Sequence, residues 1–289
     1  MAERHTIRNP IEWSVDQLAH TAHAVAEAGR AAHHATYHTP APIVRRIAVG
    51  DLRAVLEKGF EDFGAYRADV IFLCAIYPII GIVLGRLAFG EDLLPLLFPL
   101  ASGFTLLGPI AAVGLYEMSR RREQGAEIGW TDAFGVVRSP RFAAIFMLGL
   151  GLAVLFLAWL VVATLIYDAT LGPAPPASLG GFVHDVLATP AGWEMIAVGF
   201  GAGFLFAVLV LAISVVSFPL LLDREVGLDT AVMTSLRAVV ENPLPMAAWG
   251  AIVAGSLVLG SLPLFVGLVV VMPVLGHATW HLYRRLVVR

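Results

Sequence analysis

The sequence has few charged residues and only one cysteine, and both shortages limit what the protein can be. Charged side chains make up 14% of the 289 residues and hydrophobic ones 58%, whereas roughly a quarter of an ordinary soluble domain is charged. This balance predicts a protein that resides in lipid. The net charge of −3 lacks the basic excess of nucleic-acid-binding proteins, so no nucleic-acid partner is expected. Cys74 has no second cysteine with which to form an intramolecular disulfide.

Several catalytic signatures are missing as well. The sequence contains no phosphate-binding glycine-rich loop, no Gly-x-Ser-x-Gly nucleophile turn and no His-Glu-x-x-His zinc helix. We therefore predict a protein without enzyme activity, catalytic residues or a bound cofactor.

Long uncharged blocks are the main positive feature. Most reach the roughly 20 residues that an α-helix needs to cross the hydrocarbon core of a bilayer. The sequence thus predicts an all-α, polytopic membrane bundle of six transmembrane helices, at residues 70–88, 93–116, 143–167, 195–222, 246–262 and 264–283.

Basic residues fall almost entirely on one side of this predicted topology. Eight Lys and Arg precede the first span and five separate the second from the third, whereas Arg86 alone would lie on the opposite side. The 168–194 connection has neither Lys nor Arg. Because basic residues stay on the cytoplasmic side, both termini are predicted to be cytoplasmic in a multi-pass inner (plasma) membrane protein.

The chain divides into a cytoplasmic N-terminal helical segment with a linker (1–45) and a membrane domain (46–289). Within the membrane domain we find a threefold repeat, over about 46–124, 125–224 and 225–289. A β-branched residue followed by Gly-x-x-x-Ala begins each unit, at Gly50 and Ala54, Gly129 and Ala133, and Gly227 and Ala231.

Each unit is predicted to contain a cytoplasmic amphipathic helix and a helical hairpin. The amphipathic helices fall at about 50–66, 129–138 and 228–241, and helix kinks are expected at Pro109, Pro219 and Pro273. Because every unit starts on the same side, the three repeats would be parallel.

The first amphipathic helix has two contrasting faces. We predict one apolar face of Leu52, Val55, Leu56, Phe60 and Phe63, and one polar face of Arg53, Glu57, Lys58, Glu61 and Asp62. A helix of this kind is expected to lie at the inner membrane interface.

Ionisable residues inside a membrane are usually functional, but the predicted spans contain few. Glu117 falls at a span end, where we expect water to reach it. His277 and His281 lie four residues apart on one helix face and could share a metal ion. The simpler interpretation is an interfacial aromatic belt with Trp280 and Tyr283. Six further histidines occur in the first 38 residues.

Glycine and alanine recur at the spacing that lets membrane helices approach closely. The pairs are Gly81 and Gly85, Gly199 and Gly203, and Ala251 and Gly255. We expect these residues to lie in helix contacts.

Three stretches resemble a bacterial family of integral membrane proteins that carry a domain of unknown function. They are Asn9–Leu18, Asp69–Pro78 and Gly108–Arg122, the last reading GPIAAVGLYEMSRRR. The resemblance implies a bacterial membrane location and no particular activity. Members are sometimes labelled cytochrome c oxidase subunit I, but His277 and His281 on one helix cannot replace the histidines that this subunit places on several helices.

The leading hypothesis is a non-enzymatic scaffold, assembly factor or accessory subunit, with membrane lipids and proteins of a membrane complex as partners. It rests on the scarcity of buried charge and on the predicted amphipathic helices at the cytoplasmic side. A transporter or channel for a small apolar or lipid-like solute is the alternative, based on the parallel repeats and kinked helices. Metal or haem handling beside a respiratory oxidase is the third.

Overall fold

The computed structural model describes residues 42–74, 79, 86, 94–126, 135–136, 139, 141–176, 178–263 and 265–288. Within these ranges the chain is helical, apart from short connections and one isolated β-bridge. The N-terminal segment 1–41, with its histidines, lies outside them. The helices are α1 (Asp51–Cys74), a 3-10 turn (Leu94–Leu96), α2 (Leu97–Leu106), α3 (Gly108–Ala111), α4 (Val113–Glu123), α5 (Phe142–Thr170), α6 (Leu179–Ala188), α7 (Pro190–Ser214), α8 (Ser217–Asp223), α9 (Leu228–Glu241), α10 (Pro243–Ser261) and α11 (Leu268–Leu286).

Three helical stretches of the described chain are long and apolar enough to cross a membrane. They are Phe142–Thr170, Pro190–Asp223 and Pro243–Ser261, which match the third, fourth and fifth predicted spans. Their outer faces carry large exposed apolar side chains; on α5, Val154, Leu157, Val161 and Leu165 are 59–61% exposed. A surface of this kind is stable in contact with lipid and costly in water.

The other three predicted spans differ in form. The first lies largely outside the described residues, and the second is divided into α2, α3 and α4. The sixth is α11, whose residues are mostly buried. The structure therefore leaves the count of six spans as a prediction.

Helix α11 lies at the centre of the packing, in contact with α1, α4, α8 and α10. Its approach to α1 depends on Gly59: a Cβ at that position would lie 2.7 Å from the Cβ of Ala278 and 2.8 Å from the carbonyl oxygen of Val274. The two backbones can be this close only because Gly59 has no side chain.

The chain is interrupted beside two of the three predicted kink prolines. Pro109 lies in the short helix α3, and Pro219 follows the break between α7 and α8, whereas Pro273 lies inside α11. At the second break, Ser235 of α9 accepts a hydrogen bond from the Val216 amide at 3.2 Å. The side chain thus satisfies a backbone group at the interruption, as a buried amide requires.

The repeat motif begins two of the observed helices. Gly50 directly precedes α1 and Gly227 is the N-cap of α9, whose bounds match the predicted 228–241 helix. Ala54 is half-buried and Ala231 fully buried. Gly129 and Ala133 lie outside the described residues, so the threefold repeat stays a prediction.

The faces of α1 differ from those predicted, which is a correction. Within residues 51–65, where the structure describes burial, the buried residues are Leu52, Val55, Gly59 and Asp62, whereas Phe60 is 57% exposed. This spacing of three, four and three residues is that of a helix packed on another helix. The prediction went wrong because it sorted residues by polarity, and α11 supplies polar partners that bury Asp62.

The two ends of the described chain lie side by side. The Arg45 amide donates to the Leu286 carbonyl at 2.7 Å and the Val288 amide to the Ile43 carbonyl at 3.0 Å. Buried Asn242 supports this pairing by accepting from the Ile47 amide at 2.7 Å. The segment before α1 is thereby fixed to the end of α11.

Candidate functional site

A buried polar cluster lies where α1, α4 and α11 meet. Its centre is the carboxylate of Asp62, which is 5% exposed. Ser119 donates to Oδ2 of Asp62 at 2.5 Å, and Nε2 of His281 lies 2.8 Å from the same oxygen. Arg122 donates to the other oxygen, Oδ1, at 2.5 Å. We call Asp62, Ser119, Arg122, His277 and His281 the Asp62 cluster.

His277 is the most deeply buried member, with no exposed surface. Its Nδ1 lies 2.8 Å from Oγ of Ser119. A hydroxyl has one proton, and Ser119 uses it to donate the hydrogen bond to Asp62. Ser119 must therefore accept in its hydrogen bond with His277, which assigns a proton to Nδ1 of His277. Nε2 is buried against the backbone of Leu115, without a hydrogen bond of normal geometry.

The charge of Asp62 is stabilised by its neighbours. Burial alone would raise the pKa of this carboxyl group, but the hydrogen bonds from His281 and Ser119 and the nearby imidazoles outweigh burial and lower the pKa. Asp62 therefore remains ionised at neutral pH, opposite the guanidinium of Arg122.

A second buried carboxylate lies two residues before Ser119, on the same helix. Glu117 is 3% exposed, which corrects the expectation that water reaches it. Arg120 and Arg121 each donate to it at 2.7 Å from the same helix. The Arg-Arg-Arg run at the end of α4 thus provides partners for buried acids as well as a basic surface.

An outer set of contacts joins helix ends that are far apart in sequence. Arg284 at the end of α11 donates to Glu123 at 3.1 Å and to Asp223 at 3.2 Å. The Tyr283 hydroxyl donates to Asp223 at 2.7 Å, and Arg285 donates to Asp51 at 2.8 Å. The start of α1 and the ends of α4, α8 and α11 therefore lie at one end of the protein.

The predicted metal ligands are close together but have other partners. Nδ1 of His277 faces Ser119 and Nε2 of His281 faces Asp62, so these nitrogens bind protein atoms. Within the part of the chain that the structure describes, no group of three or more His, Cys, Asp or Glu side chains could hold a metal ion. The metal site at His277 and His281 stays a prediction.

An apolar cavity of about 920 Å³ lies on another side of α11. Its described walls come from α2, α3, α7, α10 and α11, with Tyr116 of α4 and Val239 of α9, and contain no charged side chain. The hydroxyls of Ser214, Ser261 and Thr279, which line it, each donate to the carbonyl one turn earlier in their own helix, at 2.6–2.8 Å. These hydroxyls are satisfied within the protein, so the cavity favours an apolar occupant.

The helices and their lipid-facing surfaces define an integral membrane protein. A family model described as "Predicted integral membrane protein (DUF2189)" matches residues 97–223, from the start of α2 to the end of α8. The match includes the Gly108–Arg122 run and confirms the resemblance to a membrane protein family of unknown function. No curated protein and no solved structure matches the chain.

Sequence reasoning found two members of the Asp62 cluster and missed three. His277 and His281 stood out because histidine is rare within apolar runs. Asp62 was assigned to the polar face of the first amphipathic helix. Ser119 and Arg122 were not singled out, because they lie in a basic stretch. The usable signal was the position of Asp62 seven residues after Val55 and three after Gly59, on the stripe that packs against another helix.

Proposed function

We propose that this protein binds a small apolar or lipid-like solute in the cavity between α2, α7, α10 and α11, as the substrate site of a membrane transporter or carrier without enzyme activity. The cavity carries the proposal. Its volume of about 920 Å³ is within the range of roughly 300–1,000 Å³ typical of small-molecule sites. Because its lining is apolar, a hydrocarbon chain would enter without leaving a polar group unpaired.

The depth of the cavity supports the same proposal. Phe204 and Val208 in the middle of α7 line it, as do Ala254 and Leu257 in the middle of α10. Both helices are long and apolar enough to cross a bilayer, so the cavity lies among the acyl chains of the membrane. A solute dissolved in those chains could reach it without passing through water.

Filling the cavity tests the proposal. Ala254 lines the cavity, whereas a Cβ at the next residue, Gly255, would meet nothing within 4 Å. We expect Ala254→Trp to reduce photolabelling by a diazirine-bearing palmitate several-fold in phosphatidylcholine nanodiscs, because the indole occupies the space of the chain. Gly255→Trp should label like the unchanged protein, and the labelled peptides should come from α10 and α11.

Equal labelling of the two tryptophan variants would contradict the proposal, as would labels confined to the outer faces of α5 and α7. Thermal unfolding of both variants, followed in the same nanodiscs, distinguishes loss of binding from loss of fold.

We also propose the six-span topology, three parallel repeats and cytoplasmic termini in the inner membrane of a bacterium. The contacts of Arg284 support it, because this residue bonds to both Glu123 and Asp223. In the sequence between Glu123 and Asp223, α5 crosses the membrane in one direction and α7 crosses it back. Only α10 crosses between Asp223 and α11, so α11 is the crossing that returns the chain to the same side.

Reporter fusions at two matched turns test this orientation. Gly125 and Gly172 each lie in the turn that follows a helix and have positive φ angles, 74° and 94°. A reporter fused after either glycine therefore keeps the preceding helix intact. We expect alkaline phosphatase to be active after Gly172 and inactive after Gly125. Activity at both positions, or the reverse pattern, would contradict the proposed topology.

The scaffold or accessory-subunit role stays a proposal, but one of its two supports is weaker. Buried charge was expected to be scarce, and the described residues bury Asp62 and Glu117. Metal or haem handling likewise stays a proposal, and the hydrogen bonds of His277 and His281 give it no added support.

A further inference from the structure

The connection between α5 and α7, predicted as an external loop, contains the helix α6. Ser178 caps its first turn by accepting from the Gly181 amide at 3.0 Å. Thr189 follows its last residue and accepts from the Gly192 amide at 3.0 Å, which begins α7. The helix has 10 residues, too few to cross a bilayer.

The corner between α6 and α7 is tightly packed. A Cβ on Gly192 would lie 2.2 Å from the carbonyl oxygen of Asp185 and 2.3 Å from that of Val186. Trp193 donates from its ring nitrogen to the Leu187 carbonyl at 3.1 Å. These contacts fix α6 against the start of α7.

The side chains of α6 are of three kinds: half-buried apolar, exposed apolar and polar. Phe182 and Val186 are half-buried and line a cavity of about 300 Å³ with Trp159 and Tyr167. Beside them a row of apolar residues is 45–57% exposed, at Leu179, Val183 and Leu187. His184 and Asp185 lie on the opposite side of the helix, by its 100° turn per residue.

The exposed row continues an apolar surface that is already assigned to lipid. Because α5 and α7 both cross the membrane, their connection lies at one of its boundaries. At that end, Leu165 of α5 and Val198 of α7 are 61% and 49% exposed. Trp193, at the same end, is 59% exposed, and tryptophan favours the membrane interface.

We propose that α6 lies in the membrane interface at the 168–194 end of the protein, with Leu179, Val183 and Leu187 inserted among lipids. His184 and Asp185 then face water. The segment 168–194 has no Lys or Arg, so the insertion depends on apolar contact and not on anionic headgroups.

Spin-label accessibility in zwitterionic phosphatidylcholine vesicles tests the proposal. The full-length chain would carry Cys74→Ala and one new cysteine bearing a nitroxide, either Val183→Cys or Leu187→Cys. At both positions we expect collisions with oxygen to exceed those with a water-soluble nickel complex, at a depth of about 5–10 Å. The matched labels His184→Cys and Asp185→Cys should show the opposite preference.

Two results would overturn the proposal. If the nickel complex reaches all four labels equally, α6 lies in water. If neither reagent reaches the labels at 183 and 187, the row is covered by protein, either a second copy or another subunit. Added anionic phosphatidylglycerol should leave the accessibilities unchanged, and a clear increase in depth would show that headgroup charge holds α6 instead.

Discussion

Replacing Gly59 by alanine is expected to destabilise the protein by about 1–3 kcal/mol or more, as overpacking does. The new Cβ would lie 2.7–2.9 Å from the Cβ of Ala278, the Val274 carbonyl oxygen and the Ala278 amide. Two of these three atoms belong to the α11 backbone, so a rotamer change cannot make room. The measurement is the unfolding midpoint in a mild detergent.

Gly64 is the matched control on the same helix. It is exposed, and a Cβ there would meet nothing within 4 Å. Since alanine is favoured over glycine in an exposed helix by about 1 kcal/mol, Gly64→Ala should leave stability unchanged or raise it. Equal shifts of the two variants would mean that α1 and α11 are not in close contact at Gly59.

Asp62→Asn is expected to be the most damaging change in the polar cluster. It removes the charge that pairs with Arg122 and His281 and keeps the size of the side chain. Breaking a buried ion pair by removing one partner costs about 3–5 kcal/mol, and we expect the low end because 36% of the Arg122 side chain is exposed. The unfolding midpoint at neutral pH measures this loss.

Glu61→Gln is the control, because Glu61 is the exposed neighbour of Asp62 on α1 and should shift the midpoint little.

The pH dependence gives a second readout. The pKa of Asp62 is lowered in the folded protein, so its contribution is present at neutral pH and is lost as acid protonates it, below about pH 4. Asp62→Asn should lack this acid-dependent step. A midpoint equal to that of Glu61→Gln would contradict the structural role of the cluster.

Much of the fold could be predicted because apolar length and helix boundaries are local properties. The third, fourth and fifth spans follow from runs without charge, and the start of α9 follows from the glycine before it. Helix packing could not be predicted in the same way. Gly199 and Gly255 have the spacing of a packing face, yet a Cβ at either would meet nothing within 4 Å. A tight backbone crossing occurs instead at Gly59, and it depends on the position of α11.

The candidate site was predictable to the extent that its residues are unusual for their surroundings. His277 and His281 meet that condition, because a histidine in an apolar helix needs a partner. Asp62 does not, because an acid on an amphipathic helix normally faces water. Its burial depends on Ser119 and His281, and nothing in the sequence near position 62 indicates their approach. The cavity depends on seven helices at once and leaves no local pattern.

The pairing of α1 with α11 has a consequence for biosynthesis. Asp62 meets His281, 219 residues later, so the ribosome must add all of those residues before the carboxylate acquires that imidazole. Contacts of such long sequence separation form slowly. Until α11 has been synthesised, the charged face of α1 remains open to water or to a chaperone, and a nascent chain that stops before α11 cannot complete this junction.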